Sequence, residues 1–221
     1  RALNLKINDI PIERIEHVKI IGLIVDEQLN FSQHIQHVKN KINPFVAKFF
    51  HIRRFISETT ALKLYYAHVY SHLIFMNSIW SVAPKYLIES LGVIQRRALR
   101  TVYMKDRLCH NVELFNENVL PLSAVITFHE NLILFKMLNN LLKNNIPLIQ
   151  ANAIHFHNTR RNQHLISYNT NTALAQNNFY FRSVRSFNAL PNYVKTFNSI
   201  GLFKKRLKEY LADTVANTEL I

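Results

Sequence analysis

Short segments of alternating apolar and polar residues begin the chain. Apolar residues occupy every second position on both sides of a turn-forming Asn8-Asp9 pair: Leu3, Leu5, Ile7, Ile10 and Ile12. Because successive side chains of a strand point to opposite faces, this alternation predicts a β-hairpin. The largely apolar run at residues 18–25 predicts a further, buried strand.

After residue 31 the apolar positions recur every three or four residues, which is the period of an α-helix. The seam of this first helix consists of Ile35, Val38, Ile42, Phe45, Phe49, Ile52 and Ile56. Ser32 is the predicted N-cap of this helix. Pro44 lies inside the helical segment and predicts either a kink or two helices in line. Arg54 is expected to point away from the seam, which is bordered by Lys39, Lys41, Lys48 and Arg53.

Two further helices follow from the same period. One is predicted to start after Ser57 and to run to about Ser81 with a broad apolar side. The next helix is predicted to begin at Pro84. Its cations lie opposite its apolar face, so they are expected to cluster on the solvent-exposed side. These cations are Arg96, Arg97 and Arg100.

The last part of the chain is less regular. Ser123 is the predicted cap of a fourth helix that ends near residues 144–147. Residues 148–180 show no period and predict loop or extended structure. A final helix over about residues 199–211 exposes Lys205 and Lys208. The fold class is therefore mainly α, with a small N-terminal β-hairpin or ribbon, a helical bundle and a loop-rich C-terminal region that ends in a helix.

Charge points to a polyanionic partner. The 221 residues hold 27 Lys and Arg against 14 Asp and Glu, a formal charge of +13, and residues 131–208 contain no acid at all. Such a segment suits a phosphate backbone, which binds Lys and Arg and repels carboxylates. The alternative is a mutational bias that enriches Asn and dilutes acids.

Composition removes several classes of protein. The three glycines, Gly22, Gly92 and Gly201, cannot form a glycine-rich nucleotide loop. One cysteine, Cys109, excludes an internal disulfide and favours a reducing, intracellular compartment. Residues 64–84 carry no formal charge, but their histidines, serines and asparagine favour a buried helix over a membrane span.

No catalytic or metal-binding constellation emerges. The two acids that adjoin, Asp26 and Glu27, follow a strand, where neighbouring side chains diverge, so a solvated turn is the expected role. His68 and His72 stand at i, i+4, and two further histidines flank Phe156, but zinc needs a third ligand, and no acid lies nearby in sequence. We therefore expect no metal or cofactor in this chain.

A series of motifs resembles one family. Residues 18–26, followed by Leu29-Asn30-Phe31 and His34-Ile35, resemble the end of the palm in reverse transcriptases of jockey-like non-LTR (LINE-type) retrotransposons, where F-K-Y-L-G-V-x-x-D leads into L-x-W/F-x-x-H-I. The family's later motifs follow in order: L-Y-Y-S-x-x-x-P-H-L…W at 64–80, L-x-x-L-Q-x-x-A-x-R at 91–100, I-L-P-L at 120–122, H-N-T-R at 157–160, Y-R-G-P-x-x-W-N-x-L-P at 181–191 and F-K-K-x-L-K at 203–208. The sequence departs from these motifs at Ser71, Ser183, Val184 and Phe187.

This resemblance implies the C-terminal portion of an RNA-directed DNA polymerase. Residues 1–30 would be the end of the palm with a primer-grip-like β-ribbon, 31–83 thumb-like helices, 84–146 a helical region and 147–221 a basic, loop-rich region with the final helix. The family's Y/F-A-D-D would stand upstream of Arg1, so this chain alone is expected to be non-catalytic, with Mg²⁺ bound only in that upstream palm. The implied partners are an RNA template, a DNA primer, and the upstream palm and fingers, with no membrane, in the nucleus and cytoplasm of a eukaryote.

Candidate nucleic-acid contacts come from the charge pattern and the resemblance together. They are Lys19, Ile20, Ile21, Gly22, Lys39, Lys41, Lys48, Arg53, Arg54, Arg96, Arg97, Arg100, Arg160, Arg182, Arg185, Lys205 and Lys208. For the arginines of the third helix a solvated helix face is the alternative, and for residues 157–160 a folding role. Tyr65, Tyr66 and Trp80 are expected in the core. The alternative functions are a retroelement-derived protein-interaction module and a decayed remnant without activity.

Overall fold

The computed structural model describes residues 5–143, 148–154, 164–167, 170–196 and 199–218. Within these ranges the chain is mainly helical after two small N-terminal hairpins, which confirms the predicted fold class. The strands are β1 (Lys6–Ile7), β2 (Ile10–Pro11), β3 (His17–Ile20) and β4 (Leu23–Asp26). The helices are α1 (Ser32–Ile52), α2 (Glu58–Tyr65), α3 (Ser71–Ile74), α4 (Asn77–Trp80), α5 (Lys85–Tyr103), α6 (Leu122–Leu138), α7 (Ala173–Gln176), α8 (Phe179–Ala189), α9 (Asn192–Lys195) and α10 (Ile200–Thr218).

Two-residue turns close both hairpins. Asn8 and Asp9 have positive φ, as a type I′ turn requires, and they join β1 to β2 as predicted. The prediction of one buried strand over residues 18–25 is wrong, because the chain reverses at Ile21 and Gly22 and pairs β3 with β4. All of β3 is exposed, whereas β4 faces the core through Leu23.

Helix α1 starts at Ser32, which is its first residue and not its cap. The loop before α1 is instead organised by Asp26, whose carboxylate accepts hydrogen bonds from the backbone N–H groups of Gln28, Asn30 and Phe31 at 3.1, 3.1 and 2.7 Å. Asp26 is therefore a buried acceptor and not part of a solvated turn. The helix continues through Pro44 as one element and not as two.

The predicted second helix is divided into α2, a π-helical turn at Tyr66–Tyr70, α3 and α4. Ser57 caps α2 through a 3.2 Å bond from the N–H of Thr60, as its position indicated. The fully buried positions recur every four residues. In a regular α-helix, with 3.6 residues per turn, side chains at this spacing would rotate gradually away from the core. The wider π-helical turn corrects this rotation and keeps them on the core face. They are Ala61, Tyr65, Val69 and Leu73.

Helix α6 is capped by a side chain from α5. Gln95 is buried, and its Oε1 accepts a 2.8 Å hydrogen bond from the N–H of Leu122, while its Nε2 donates to the carbonyl of Leu120 at 2.9 Å. Ser123 is thus inside the helix and does not cap it. Pro121 occupies the N-cap position, and its side chain cannot accept a hydrogen bond from the free N–H groups of the first turn. Gln95, which is distant in sequence, provides the acceptor instead.

Hydrophobic periodicity did not predict α8, which lies where the resembling motif has Gly-Pro. Ser183 and Val184 stand at those two positions, and both are compatible with the buried interior of a helix. Asn178 caps α8 by accepting a 3.1 Å bond from the N–H of Phe181. Helix α7 likewise lies in the segment predicted to be loop or extended, and α10 continues past residue 211 to Thr218.

Two hydrophobic cores meet at α6. The first lies among β4, α1, α2–α5 and the start of α6, and the second among α6, α8, α9 and α10. Leu122 and Ile126 belong to the first core, and Phe128 and Phe135 to the second. A helix covered from two sides is apolar around most of its circumference, which obscures its period in the sequence.

A buried ion pair joins the two cores. The Nε of Arg182 on α8 donates to Oε1 of Glu130 on α6 at 3.0 Å, and its Nη2 donates to the Oγ of Ser81 at 2.7 Å. The Glu130 side chain is only 5% exposed. Burial raises the pKa of the Glu130 carboxyl, and the neighbouring guanidinium opposes that rise. Arg182, predicted as a nucleic-acid contact, is therefore a structural residue.

Replacing Arg182 by Met is expected to lower the free energy of unfolding by about 3 kcal/mol, because Glu130 would keep a buried charge without a partner. Urea denaturation monitored by circular dichroism measures this change. Arg185→Met is the control, since Arg185 is exposed on the same helix and should change stability by less than about 0.5 kcal/mol. Equal losses for the two variants would contradict a structural role for the pair.

His34 is a second buried titratable group. It is 2% exposed, its ring centroid lies 6.1 Å from that of Trp80, and its Nδ1 accepts a 3.4 Å hydrogen bond from the N–H of Ile24. Burial, with a smaller contribution from His37, lowers the pKa of His34 from 6.5 to about 4. The folded state therefore favours the neutral ring, and this contribution to stability is complete above pH 6.5 and is lost as the pH falls toward 4.

Acidification from pH 7.5 to pH 5 is expected to remove about 2 kcal/mol of stability through His34, because the unfolded chain binds the proton more tightly. The His34→Gln variant should lose less stability over that interval than the parent chain. Since the same background titrations occur in both proteins, the difference between the two losses isolates His34. Parallel stability curves from urea titrations at the two pH values would refute the assignment.

Candidate nucleic-acid interface

A groove of about 980 Å³ lies between the C-terminal half of α1 and the outer face of α5. We call it the α1–α5 groove. Among its described lining residues Asp106 is the one carboxylate, and six are cations: Arg53, Arg54, Arg97, Arg100, Lys105 and Arg107. Its apolar lining residues include Val46, Phe50, Val93 and Met104. The groove therefore combines strong positive charge with apolar surface.

The sequence of α5 places both kinds of side chain in one stripe. Val93, Arg97, Arg100 and Met104 stand at i, i+4, i+7 and i+11, which is one face of a helix. The opposite face, which includes Ala98 and Val102, is fully buried in the first core. The stripe is thus held rigidly toward the groove.

Arg53 is buried beside the groove and bonds to backbone carbonyls. It is 8% exposed, its Nε donates to the carbonyl of Val102 at 2.7 Å, and its Nη1 donates to the carbonyl of Ile56 at 2.8 Å. The first bond ties the end of α1 to α5 across 49 positions of sequence. The prediction of Arg53 as a phosphate contact is corrected, because these donors are occupied in the interior.

Arg100 is half-buried, and not gathered in solvent as predicted. Its Nη2 makes long contacts of 3.4 Å to the carbonyl of Cys109 and 3.5 Å to Oδ1 of Asn111. Its buried Nε has no hydrogen-bond partner among the described residues. An unpaired buried donor costs free energy, so an anionic acceptor in the groove would stabilise it.

Arg54, Arg97 and Arg107 are exposed, and within the described residues no carboxylate lies at ion-pair distance from any of them. Lys105 differs, because its amine lies 2.7 Å from the Glu113 carboxylate. That hydrogen bond raises the pKa of Lys105. The guanidinium groups thus supply most of the uncompensated charge of the groove.

A second cationic surface lies beside the β3–β4 hairpin. Burial and the nearby charges of Lys19 and Lys41 lower the pKa of His37, and burial followed by Lys41 lowers the pKa of His72. Lys19 and Lys41 therefore act on histidines of α1 and α3, and the hairpin tip at Gly22 lies beside Phe75, which directly follows α3. We call this surface the hairpin face, and it comprises Lys19, Ile20, Ile21, Gly22, His37, Lys41, Lys48, His68 and His72.

Backbone strain marks the tip of this hairpin. Ile21 has φ 49°, a conformation that is unfavourable for a β-branched residue, and its side chain is 80% exposed. Gly22 has φ 90°, and a Cβ there would lie 3.4 Å from the ring of Phe75. The tip therefore rests on Phe75 and presents Ile21 to its surroundings.

Helix α1 separates the two surfaces. Lys41 and Phe50, which lines the groove, are nine residues apart on α1, and at about 100° per residue they lie on opposite sides of the helix. Lys48 lies two turns after Lys41 on the hairpin face, whereas Lys39 lies two turns before Val46 on the side of the groove. The candidate contacts on α1 are thus divided between opposite sides of the helix.

The remaining candidates lie away from the groove. Arg96 is half-buried beside Gly92, where a Cβ would lie 3.5 Å from its Nη1. Arg185 and Lys205 are exposed on α8 and α10, and the Nζ of Lys208 lies 6.0 Å from the centroid of the Phe128 ring. Residues 157–160, including Arg160, lie outside the described residues.

The predicted core aromatics are confirmed: Tyr65 and Trp80 are fully buried, and half-buried Tyr66 donates to the carbonyl of Asn118 at 2.8 Å. The sequence reasoning missed Phe50, Lys105 and Arg107 as groove residues. A signal was present, because Lys105 and Arg107 directly follow an arginine-bearing helix, but the sequence does not show that this loop faces α1.

Among the residues that the structure describes, no three His, Cys, Asp or Glu side chains are close enough to hold a metal ion. Within the same ranges, no helix combines the length and apolar character of a membrane span.

Comparisons with known proteins assign no family to this geometry. No protein-family model, no curated protein and no solved structure matches the chain.

Proposed function

We propose that this chain is the non-catalytic C-terminal part of an RNA-directed DNA polymerase of a LINE-type retrotransposon, and that it holds the primed RNA template. The observation that carries the proposal is the α1–α5 groove, in which Arg54, Arg97 and Arg107 are exposed without carboxylate partners among the described residues. The ordered motifs that resemble this family support the same function. The chain would act in the nucleus and cytoplasm of a eukaryotic host.

The groove and the hairpin face would position nucleic acid through its backbone. Guanidinium and ammonium groups bind phosphate oxygens with little dependence on base sequence, which suits a protein that must translocate along any template. The half-buried Arg100 would contribute its positive charge to the groove, and the strained hairpin tip would contact the primer strand with Ile21.

The first hairpin provides a surface for the upstream palm and fingers. Every described residue from Leu5 to Ile21 is exposed, including Ile7, Ile10 and Ile15 at 64%, 70% and 53%. Exposed apolar side chains in such density are typical of an interface. In this proposal the palm supplies the aspartates and Mg²⁺ for nucleotidyl transfer, while the present chain supplies positive charge and shape. The same exposed residues favour the alternative, a protein-interaction module.

Binding to a primed RNA template is expected to weaken steeply with salt, because each contacted phosphate adds about −0.7 to −0.9 to the slope of log affinity against log salt. The triple variant Arg54→Ser, Arg97→Ser, Arg107→Ser should make this slope shallower by roughly 2 to 3. Fluorescence anisotropy over a salt series measures both slopes.

A control variant removes the same charge from exposed positions outside the groove: Lys63→Ser, Lys85→Ser, Lys204→Ser. Its slope should stay close to that of the parent chain. If both triple variants lose affinity equally, net charge and not the groove binds the template. Absence of binding at low salt would refute the proposed function, and salt-insensitive capture of a protein would favour the interaction module.

The genomic reading frame provides an independent test. If the chain is part of such a polymerase, the frame upstream of Arg1 is expected to encode an aromatic-Ala-Asp-Asp hairpin, because nucleotidyl transfer requires carboxylates that hold two metal ions. Sequencing the genomic copy checks this expectation, and an upstream frame without that motif would contradict the polymerase assignment while leaving nucleic-acid binding intact.

A further inference from the structure

We propose that the α1–α5 groove binds an unpaired single strand, such as the template ahead of the primer, and not the duplex. This inference rests on the proposed function. It specifies which part of the nucleic acid the groove binds and which side chain contacts the bases.

Apolar surface lies among the cations of the groove. Phe50, Val93 and Met104 are 65%, 52% and 66% exposed, although they line the groove beside unpaired guanidinium groups. A duplex stacks its bases inside and presents phosphates and sugars, so it would leave this apolar surface in water. A single strand presents base faces as well as phosphates, and bases stack on aromatic side chains.

Cationic and apolar side chains are neighbours on both walls of the groove. Phe50 near the end of α1 and Arg54 just after it both line the groove, and on α5 the stripe runs Val93, Arg97, Arg100, Met104. Each wall therefore places guanidinium groups next to apolar side chains along its length. The backbone and bases of an extended strand present phosphates and apolar faces side by side, which matches both walls at once.

Phe50 is the residue that distinguishes the two ligands. Its ring is exposed and lines the groove, with Arg54 four residues later in the 3-10 turn that follows α1. A base stacked on Phe50 would bring its phosphate toward Arg54. Since Phe50 carries no charge, its removal should change affinity for the single strand without changing the number of phosphates contacted.

The test compares a labelled oligouridine of roughly twelve nucleotides with an RNA–DNA duplex of the same length, by anisotropy at fixed salt. Phe50→Ala is expected to weaken oligouridine binding roughly five- to a hundredfold, because stacking on one aromatic side chain contributes that range. Duplex binding and the salt slope should stay unchanged, and Phe50→Trp should retain binding. Phe55→Ala is the matched control, since Phe55 is 80% exposed next to Arg54 but does not line the groove.

Several outcomes would overturn the inference. Equal losses for oligouridine and duplex in Phe50→Ala, or an equal loss in Phe55→Ala, would show that the groove does not select unpaired bases. Displacement of oligouridine by polyglutamate at equal charge concentration would show that any acidic chain suffices. If the parent chain bound neither nucleic acid at low salt, the proposed function itself would fail, whereas binding to both without discrimination would refute only the single-strand assignment.

Discussion

The fold depends on polar anchors that hold α6 between two hydrophobic cores. Gln95 from α5 caps the start of α6, and Glu130 in its middle pairs with Arg182 of α8. Each of these buried groups is costly unless its partner is in place, so the two cores can form only in one relative arrangement. Apolar packing alone would not fix the register of a helix that is apolar around most of its circumference. The polar contacts therefore specify the position of α6, and hydrophobic burial stabilises it.

Hydrogen-bond partners inside the protein distinguish the structural arginines from those that can bind a ligand. Arg53 and Arg182 have their guanidinium groups satisfied inside the molecule, by backbone carbonyls in one case and by a carboxylate in the other. Arg54 and Arg97 remain exposed without carboxylate partners among the described residues. Like charges held together by a rigid scaffold repel one another, and a polyanion relieves that repulsion. The local excess of charge, more than the net charge of +13, is the basis of the proposed nucleic-acid binding.

Helix α1 gives the two cationic surfaces different characters. The hairpin face combines lysines, histidines and a strained apolar tip, whereas the α1–α5 groove combines guanidinium groups with exposed apolar side chains. Because they lie on opposite sides of one helix, a single rigid ligand segment would have difficulty reaching both. A primed template has a duplex part and an unpaired part, and two such surfaces suit the two parts. This division follows from the helical rotation between Lys41 and Phe50 on α1.

Local patterns in the sequence were sufficient for the helical period of α1 and α5, the Asn8-Asp9 turn, the start of α2 after Ser57 and the excess of positive charge. These features depend on neighbouring residues or on simple sums, so the sequence alone determines them. The structure alone decided that β3 is exposed while β4 faces the core, that helix α8 forms where the resembling motif has Gly-Pro, and that Arg53 and Arg182 bond to partners within the protein. Their partners are about fifty positions away in the chain: Val102 for Arg53 and Glu130 for Arg182. Helical spacing shows which side of a helix a residue occupies, but only tertiary packing brings a distant carbonyl, carboxylate or helix to that side.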